Sequence, residues 1–246
     1  MAPTKHVAIV TGAAGTMGRS VVEAFVEAGI TVAAVDIRRE GMDSLVDAGN
    51  GLVTPYVFDI SDPAAVEHGT DAIRRDLGSV DILVNNAGVL STNKLMATTP
   101  EEWNRIMAVN LNGAFYLSRA ILPGMREKKW GRIVNISSWA AKCGGLTAGT
   151  AYSVSKAALI GLTFAIAAET TREGITVNGI APAFVKTPMV TEQLSAEKRA
   201  EVEAKIPVGR FCEPEEFAHT VMFLVSEKAG FITGEIVDMN GGFQFD

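Results

Sequence analysis

The chain predicts an α/β fold: a doubly wound, mostly parallel sheet of seven strands with helices on both faces. Three observations predict it. Short apolar, β-branched runs alternate with longer amphipathic stretches along all 246 residues. Several runs, such as Val7-Ala8-Ile9-Val10 and Ile82-Leu83-Val84, are apolar at consecutive positions, the pattern of strands covered on both faces. Helix starts recur between them, and strand–helix alternation of this kind implies right-handed crossovers. Strands are expected over Val7–Thr11, Thr31–Asp36, Leu52–Asp59, Asp81–Asn85, Arg132–Ser138, Thr176–Ala181 and Glu235–Met239. Asp62-Pro63 reads as an N-cap followed by proline at the first helical position. Thr99-Pro100-Glu101-Glu102 repeats that logic and adds acids where the helix dipole favours them, as does Pro214-Glu215-Glu216. The stretch from Thr187 to Pro207 has no strand signal and is rich in Glu, Lys and Ala, so a helical lid is expected at about 187–207. No linker, repeat or low-complexity tract interrupts the chain, and residues 1–246 read as a single domain.

Composition narrows the function. The chain is 48% hydrophobic and 20% charged with a formal charge of −6, which argues against nucleic acid or an anionic membrane as partner. No secretory pattern opens it, and Cys143 and Cys212 are too few for a disulfide framework, so a cytoplasmic setting is expected. His6, His68 and His219 are isolated, and no metal site is expected.

Two constellations carry chemistry. Thr11-Gly12-Ala13-Ala14-Gly15-Thr16-Met17-Gly18 runs from the end of the first strand into a helix, where backbone N–H groups and the helix dipole can hold a pyrophosphate. Glycines alone would also suit a plain strand–turn–helix corner. Asp36, ending the second strand, has the spacing of the acid that bonds adenosine ribose hydroxyls and would repel a 2′-phosphate. The expected cofactor is therefore NAD, with NADP the lesser candidate. Arg38 and Arg39 follow at once, either as solvated residues or as partners for a phosphate. Asp59 either bonds the adenine amine or caps the next helix. Tyr152 and Lys156 lie four residues apart, on one face of a helix. An ammonium beside a phenol that ordinarily titrates near ~10 favours the phenolate and makes a usable proton donor and acceptor. Together the two constellations suggest hydride transfer coupled to proton transfer.

With these residues in view, the chain resembles the short-chain dehydrogenase/reductase family over essentially its whole length. The matching stretches are Thr11–Gly18, Asp59-Ile60, Asn85-Asn86-Ala87-Gly88, Asn110, Ser137-Ser138, Tyr152 with Lys156, Pro182 to Thr187, and Phe231 to Gly242. The resemblance implies a seven-stranded Rossmann sheet, a homotetramer, and interconversion of alcohols and carbonyls with NAD(P). It implies Tyr152 as general acid/base, Lys156 as the residue that lowers the tyrosine pKa and bonds the nicotinamide ribose, and Ser138 as the group polarising the carbonyl. Asn110 would hold a relay water. Gly12, Gly15, Thr16, Met17, Gly18, Asp36, Asp59, Ile60, Asn86, Ala87, Gly88, Pro182, Val185 and Thr187 would contact the cofactor. Two departures stand out: Thr16 occupies the usual middle glycine, and Pro182-Ala183 replaces the usual Pro-Gly. A β-branched residue tolerates positive φ poorly, so Thr16 is expected at negative φ.

For the substrate, the reading taken is an NAD-dependent dehydrogenase of a small secondary alcohol, polyol or hydroxy acid, favoured by Asp36 and the acidic charge. The first alternative is a 3-oxoacyl carrier-protein reductase, a kind of enzyme that generally uses NADPH and needs a basic docking surface; here one basic position falls near Glu173 and Arg172. A bulkier cyclic alcohol, walled by Trp139, Leu146 and Met189, is another. From a different class, a non-catalytic NAD-binding sensor is the bland alternative. The apolar segment Phe231–Phe245 is expected to pack across a subunit interface.

Overall fold

In a computed structural model the described residues are 6–145, 147–188 and 195–245. Leu146 and Met189, two expected pocket walls, lie outside them, as does part of the 187–207 stretch. Seven strands form one sheet: β1 (Val7–Thr11), β2 (Thr31–Asp36), β3 (Val53–Val57), β4 (Ile82–Asn85), β5 (Gly131–Ile136), β6 (Ile175–Pro182) and β7 (Ile236–Met239). Their order is β3-β2-β1-β4-β5-β6-β7, and every neighbouring pair is parallel. The expectation of a mostly parallel sheet thus sharpens to a wholly parallel one. The chain reverses direction across the sheet between β1 and β4, so their carboxyl ends open a crevice there.

Strand periodicity divides the core. Ala8, Val10, Val32 and Ala34 face one layer, with α1 (Thr16–Glu27) and the helix Pro214–Val225 packed on it through Val21, Phe25, Phe217 and Val221. Val7, Ile9, Ala33 and Val35 face the other, covered by α3 (Pro63–Leu77), α5 (Gly113–Lys128) and α7 (Thr150–Thr170). Burial of a side chain such as Phe25 or Phe217 contributes about 1.5–3 kcal/mol. The remaining helices are α2 (Asp43–Ala48), α4 (Pro100–Met107), the short α6 (Ala140–Cys143) and α8 (Ala196–Glu203) in the region read as a lid; Pro214–Val225 is α9. The segment Thr150–Glu173 is apolar and long enough to cross a membrane by composition, but Ser155, Lys156, Thr163 and Thr170 on it are buried against protein.

The cap residues behave as their chemistry dictates. The Asp62 carboxylate accepts from the Ala64 N–H at 2.9 Å, and the Thr99 hydroxyl from the Glu102 N–H at 3.2 Å. The Glu213 N–H donates to the Glu216 carboxylate at 2.9 Å, closing α9's first turn. Strand ends differ from expectation where a side chain replaces the ladder. Asp81 stands before β4, its carboxylate accepting from the Val7 N–H at 2.9 Å. β3 ends at Val57, and Asp59 then turns the chain by accepting from the Ser61 N–H and hydroxyl at 2.8 and 2.7 Å. β5 ends at Ile136, freeing Ser138 to accept from the Ala140 N–H at 3.2 Å at the start of α6.

Candidate active site

The residues singled out from the sequence gather along the carboxyl edge of the sheet. At β1 the chain turns through Gly12, whose φ of +64° is left-handed. A Cβ on Gly18 would lie 2.1 Å from the Gly12 carbonyl oxygen, so only glycine lets α1 pack this close to the loop. Thr16 opens α1, outside the positive-φ region, and the N-cap is Gly15, which has no side chain with which to cap the helix. The first-turn amides are therefore left for an anion or water. Asn86 braces the loop from β4: its Nδ2 donates to the Thr11 carbonyl at 2.9 Å, and the Asn86 and Ala87 N–H groups both donate to the Thr11 hydroxyl at 3.0 Å. This is a cradle of the right shape and polarity for a dinucleotide pyrophosphate.

Asp36 ends β2 beside the glycine loop, partly exposed. Its carboxylate accepts from the Ala14 N–H at 3.1 Å and from the Arg38 N–H at 3.4 Å, tying β2 to the glycine loop. Arg38 and Arg39 are exposed beside it, Arg39 paired with Asp43 at 2.7 Å. Asp59 is likewise occupied by Ser61, the capping alternative of its two readings. The Ile60 side chain is 8% exposed and packs in the core, against Gly113 at the start of α5.

The proton-handling set lies between β4, β5 and α7. Lys156 is buried, and its ammonium donates to the Ile136 carbonyl at 2.6 Å. Burial lowers its pKa to about 8. The ammonium stands 5.9 Å from the centre of the Tyr152 ring. Burial pushes the Tyr152 phenol above its ordinary pKa, and a hydrogen bond from Ser138 offsets part of the shift. Burial is the largest influence on the phenol, with the Lys156 ammonium one turn along the same helix face. The result is a phenol that holds its proton at neutral pH.

Asn110 sits in a π-helical turn, Ala108–Asn112, between α4 and α5. Such turns are frequent at functional sites because they re-aim one side chain. Its Oδ1 accepts from the Val89 N–H at 2.8 Å, and its Nδ2 donates to the Val89 carbonyl and the Ser155 hydroxyl, both at 3.0 Å. Ser155 passes the link on to the Tyr152 carbonyl at 2.7 Å. A Cβ on Gly88 would come within 3.3 Å of both Asn110 Oδ1 and Lys156 Nζ, so these two groups converge on one spot.

Farther along the edge, Pro182 ends β6, and its carbonyl accepts from the Trp139 N–H at 3.0 Å. Val185 forms a parallel bridge with Cys212 through the Phe184 carbonyl and the Lys186 N–H. That geometry turns Val185's own N–H and carbonyl to the opposite side. Thr187 follows two residues on, partly buried. Trp139 packs on Phe243 at 4.9 Å and donates to Gln244 Oε1 at 3.0 Å, so it serves the aromatic cluster at the chain's end. Phe231 and Phe245 are exposed.

Sequence reasoning missed the supports behind this edge. Lys94 Nζ donates to the Gly145 and Ala148 carbonyls at 2.6 and 2.7 Å, clamping the loop that leads into α7. The Gly149 and Thr150 N–H groups bond back to the Ser91 and Asn93 carbonyls. Asn85, Asn135 and Thr163 form a buried polar chain beneath α7. Only the polar residues within otherwise apolar strands, Asn85 and Asn135, hinted at it.

A family model described as enoyl-(acyl carrier protein) reductase matches residues 12–244. A solved Brucella melitensis protein, described as a short-chain dehydrogenase/reductase and glucose/ribitol dehydrogenase, superposes with a TM-score of 0.91 at 30% identity, covering 98% of this chain and 97% of that one. The chain belongs to the short-chain dehydrogenase/reductase family. It is an NAD(P)-dependent oxidoreductase acting on CH–OH groups. Among curated relatives of this short-chain dehydrogenase/reductase, the 3-oxoacyl-(acyl-carrier-protein) reductase FabG of Thermotoga maritima is 37% identical. The enzymes of the same name from Escherichia coli and Vibrio cholerae are 40% and 41% identical. Each match covers 96% of both chains.

These relatives overturn two expectations. The reading taken from Asp36, an NAD-dependent dehydrogenase of a small secondary alcohol, polyol or hydroxy acid, does not hold against these relatives, which are named 3-oxoacyl-(acyl-carrier-protein) reductases. NAD gives way with it, because carrier-protein reductases are the NADPH-using kind. The physical reason for the misreading is visible at β2. The NAD preference was drawn from Asp36, whereas two exposed arginines able to take a 2′-phosphate follow it.

Proposed function

We propose that this enzyme reduces the 3-oxo group of an acyl thioester carried on an acidic carrier protein, using NADPH. The proton-handling pair carries the reading: a Tyr152 phenol one helical turn from the buried Lys156 ammonium, with Ser138 beside it. A reductase must begin its cycle with that proton in place. The near full-length likeness to carrier-protein reductases supports the substrate class.

NADPH, when bound, supplies the hydride. The chain's part is to bind, orient and protonate. Gly12, Gly15, Thr16, Met17 and Gly18 would offer backbone amides and close approach to the pyrophosphate. Arg38, exposed two residues beyond the end of β2, would take the 2′-phosphate, with Arg39 beside it. Asn86, Ala87 and Gly88 would line the adenosine-ribose side with Asp59 and Ile60 behind them, and Pro182, Val185 and Thr187 would flank the nicotinamide. Ser138 donates to the substrate carbonyl oxygen, and Tyr152 transfers its proton to that oxygen as the alkoxide forms. Lys156 stabilises the phenolate left behind, and Asn110 holds the path by which the proton is replaced. The 187–207 stretch would close over the acyl chain as a lid, within a single domain of 246 residues.

A cytoplasmic homotetramer fits this reading. Val154, Ala157, Gly161, Phe164, Ala165 and Ala168 form an exposed, small and apolar stripe along α7, suited to close packing against another copy. Lys129 and Arg172 are exposed cations where β5 and β6 begin, opposite the Tyr152 edge. A carrier docked there would feed a neighbouring subunit's site.

The test is NADPH consumption with a 3-oxoacyl thioester, run beside small alcohols and ketones. Turnover of the thioester that disappears in Tyr152→Phe is the expected result. A wild-type rate in Tyr152→Phe, or no turnover of the thioester, overturns the proposal.

A further inference from the structure

The Lys156 ammonium is held by one carbonyl on β5, yet its position depends on where α7 lies against the sheet. Beneath that helix runs a directional chain of three hydrogen bonds. Asn85 Nδ2 donates to Asn135 Oδ1 at 2.8 Å, Asn135 Nδ2 donates to Thr163 Oγ1 at 2.9 Å, and the Thr163 hydroxyl donates to the Leu159 carbonyl at 2.9 Å. Asn85, Asn135 and Thr163 are 4%, 0% and 0% exposed.

Each member stands next to a contact of Lys156. Asn85 and Asn135 are direct partners in the β4–β5 register, so their amides lie side by side. Asn135 precedes Ile136, whose carbonyl receives the ammonium. Asn85 precedes the Asn86–Gly88 loop, and Gly88 lies against Lys156 Nζ. Thr163 is seven residues after Lys156, two turns along the same face of α7. The Ser137 hydroxyl donates to the Lys156 carbonyl at 2.8 Å and fixes the helix at that level, while the Asn135–Thr163 bond fixes it two turns on. Two anchors, one on β5 and one just past its end, set both the translation and the rotation of the helix. Apolar packing tolerates sliding, whereas buried amides must keep their partners or lose the hydrogen bond outright.

We propose that Asn85, Asn135 and Thr163 are positioning residues for Lys156, holding α7, β5 and the β4 loop in the register that places its ammonium. The proposal rests on Lys156 handling protons as described above. All three are at most 4% exposed, and the Tyr152 phenol lies one turn before Lys156 on the same face of α7.

The decisive variant is Thr163→Val, which keeps the shape and removes the hydroxyl, with Thr163→Ser as the rescue. In the full-length enzyme we expect kcat for thioester reduction to fall roughly tenfold with KM little changed, as a sub-ångström misplacement does. The alkaline limb of the rate profile should move by about half a pH unit. Serine should restore both. A folded Thr163→Val with wild-type kcat and an unmoved limb overturns the proposal, as does a failure of serine to rescue. Should valine prevent folding, Thr163→Ala replaces it. In either variant an NMR titration of labelled lysine follows the Lys156 ammonium without any substrate. A shifted Lys156 titration supports positioning even if no thioester is reduced, and an unshifted one contradicts it even if reduction proceeds.

Discussion

The two halves of the sheet build their parts of the site by different means. On the β4–β5–β6 side, Lys156 and Asn110 are 4% and 1% exposed and fixed by buried hydrogen bonds, with Tyr152 and Ser138 partly buried beside them. On the β1–β2 side, backbone shape does the holding, and the choice between cofactors falls to Asp36, Arg38 and Arg39, which lie at the surface or partly exposed. The buried half has one arrangement its sequence can satisfy, because an unpartnered amide or ammonium there costs about 1–3 kcal/mol or more. The exposed half carries no such constraint. A carboxylate there can face a ribose or a backbone amide with little difference in stability. Proton chemistry is written into the fold, while cofactor preference is written into a few surface atoms.

That contrast can be broken at its strongest point first. Tyr152→Phe should lower thioester reduction by on the order of 10²–10⁴-fold, the usual contribution of a general acid, while NADPH binding followed by fluorescence stays intact. Loss of binding together with rate would mean that the buried half also builds the cofactor site. Arg38→Ala tests the exposed half. Removing a charge-assisted hydrogen bond of about 1.5–3 kcal/mol should raise KM for NADPH tenfold or more and leave NADH kinetics unchanged. An equal loss with both cofactors would assign Arg38 to the loop rather than to the phosphate.

The pH dependence is a smaller effect. The Lys156 pKa is lowered from 10.5 to about 8, so the ammonium is present below pH 8 and lost above it. The reduction rate should therefore fall as pH rises through about 8. Linkage runs the other way for stability. Between pH 8 and 10.5 the unfolded chain binds the proton that the folded chain does not, so this group makes the fold relatively more stable with rising pH across that window. Rate profiles and denaturant melts at matched pH separate the two. Smallest of all is Thr16→Gly, which restores the family's usual middle glycine. Because Thr16 begins α1 outside the positive-φ region, glycine should lower stability by about half a kcal/mol, read from a denaturation midpoint, with no gain in cofactor affinity.

The sequence was most legible where its pattern and burial agreed. All seven strands were expected near their observed places because strands buried on both faces leave long apolar runs, and the caps at Asp62 and Thr99 were readable from local chemistry. Strand ends were misplaced by a residue or two where Asp59, Asp81 or Ser138 leaves the ladder for a side-chain bond. Asn110, Ser138, Tyr152 and Lys156 were brought together as spacing and resemblance indicated. Lys94 and the Asn85–Asn135–Thr163 chain were not foreseen, since their partners lie 28 to 54 residues away and no local pattern records them. Asp36 misled on the cofactor because one carboxylate was weighed above the two exposed arginines, Arg38 and Arg39, that follow it.

The most direct measurement is the ratio of kcat/KM for NADPH to that for NADH on one 3-oxoacyl thioester. The account predicts a ratio well above ten, set at the β2 corner, with Tyr152 required for turnover with either cofactor. A ratio at or below one would contradict the assignment of Arg38 to the 2′-phosphate, and with it the reading of this enzyme as an NADPH-dependent reductase.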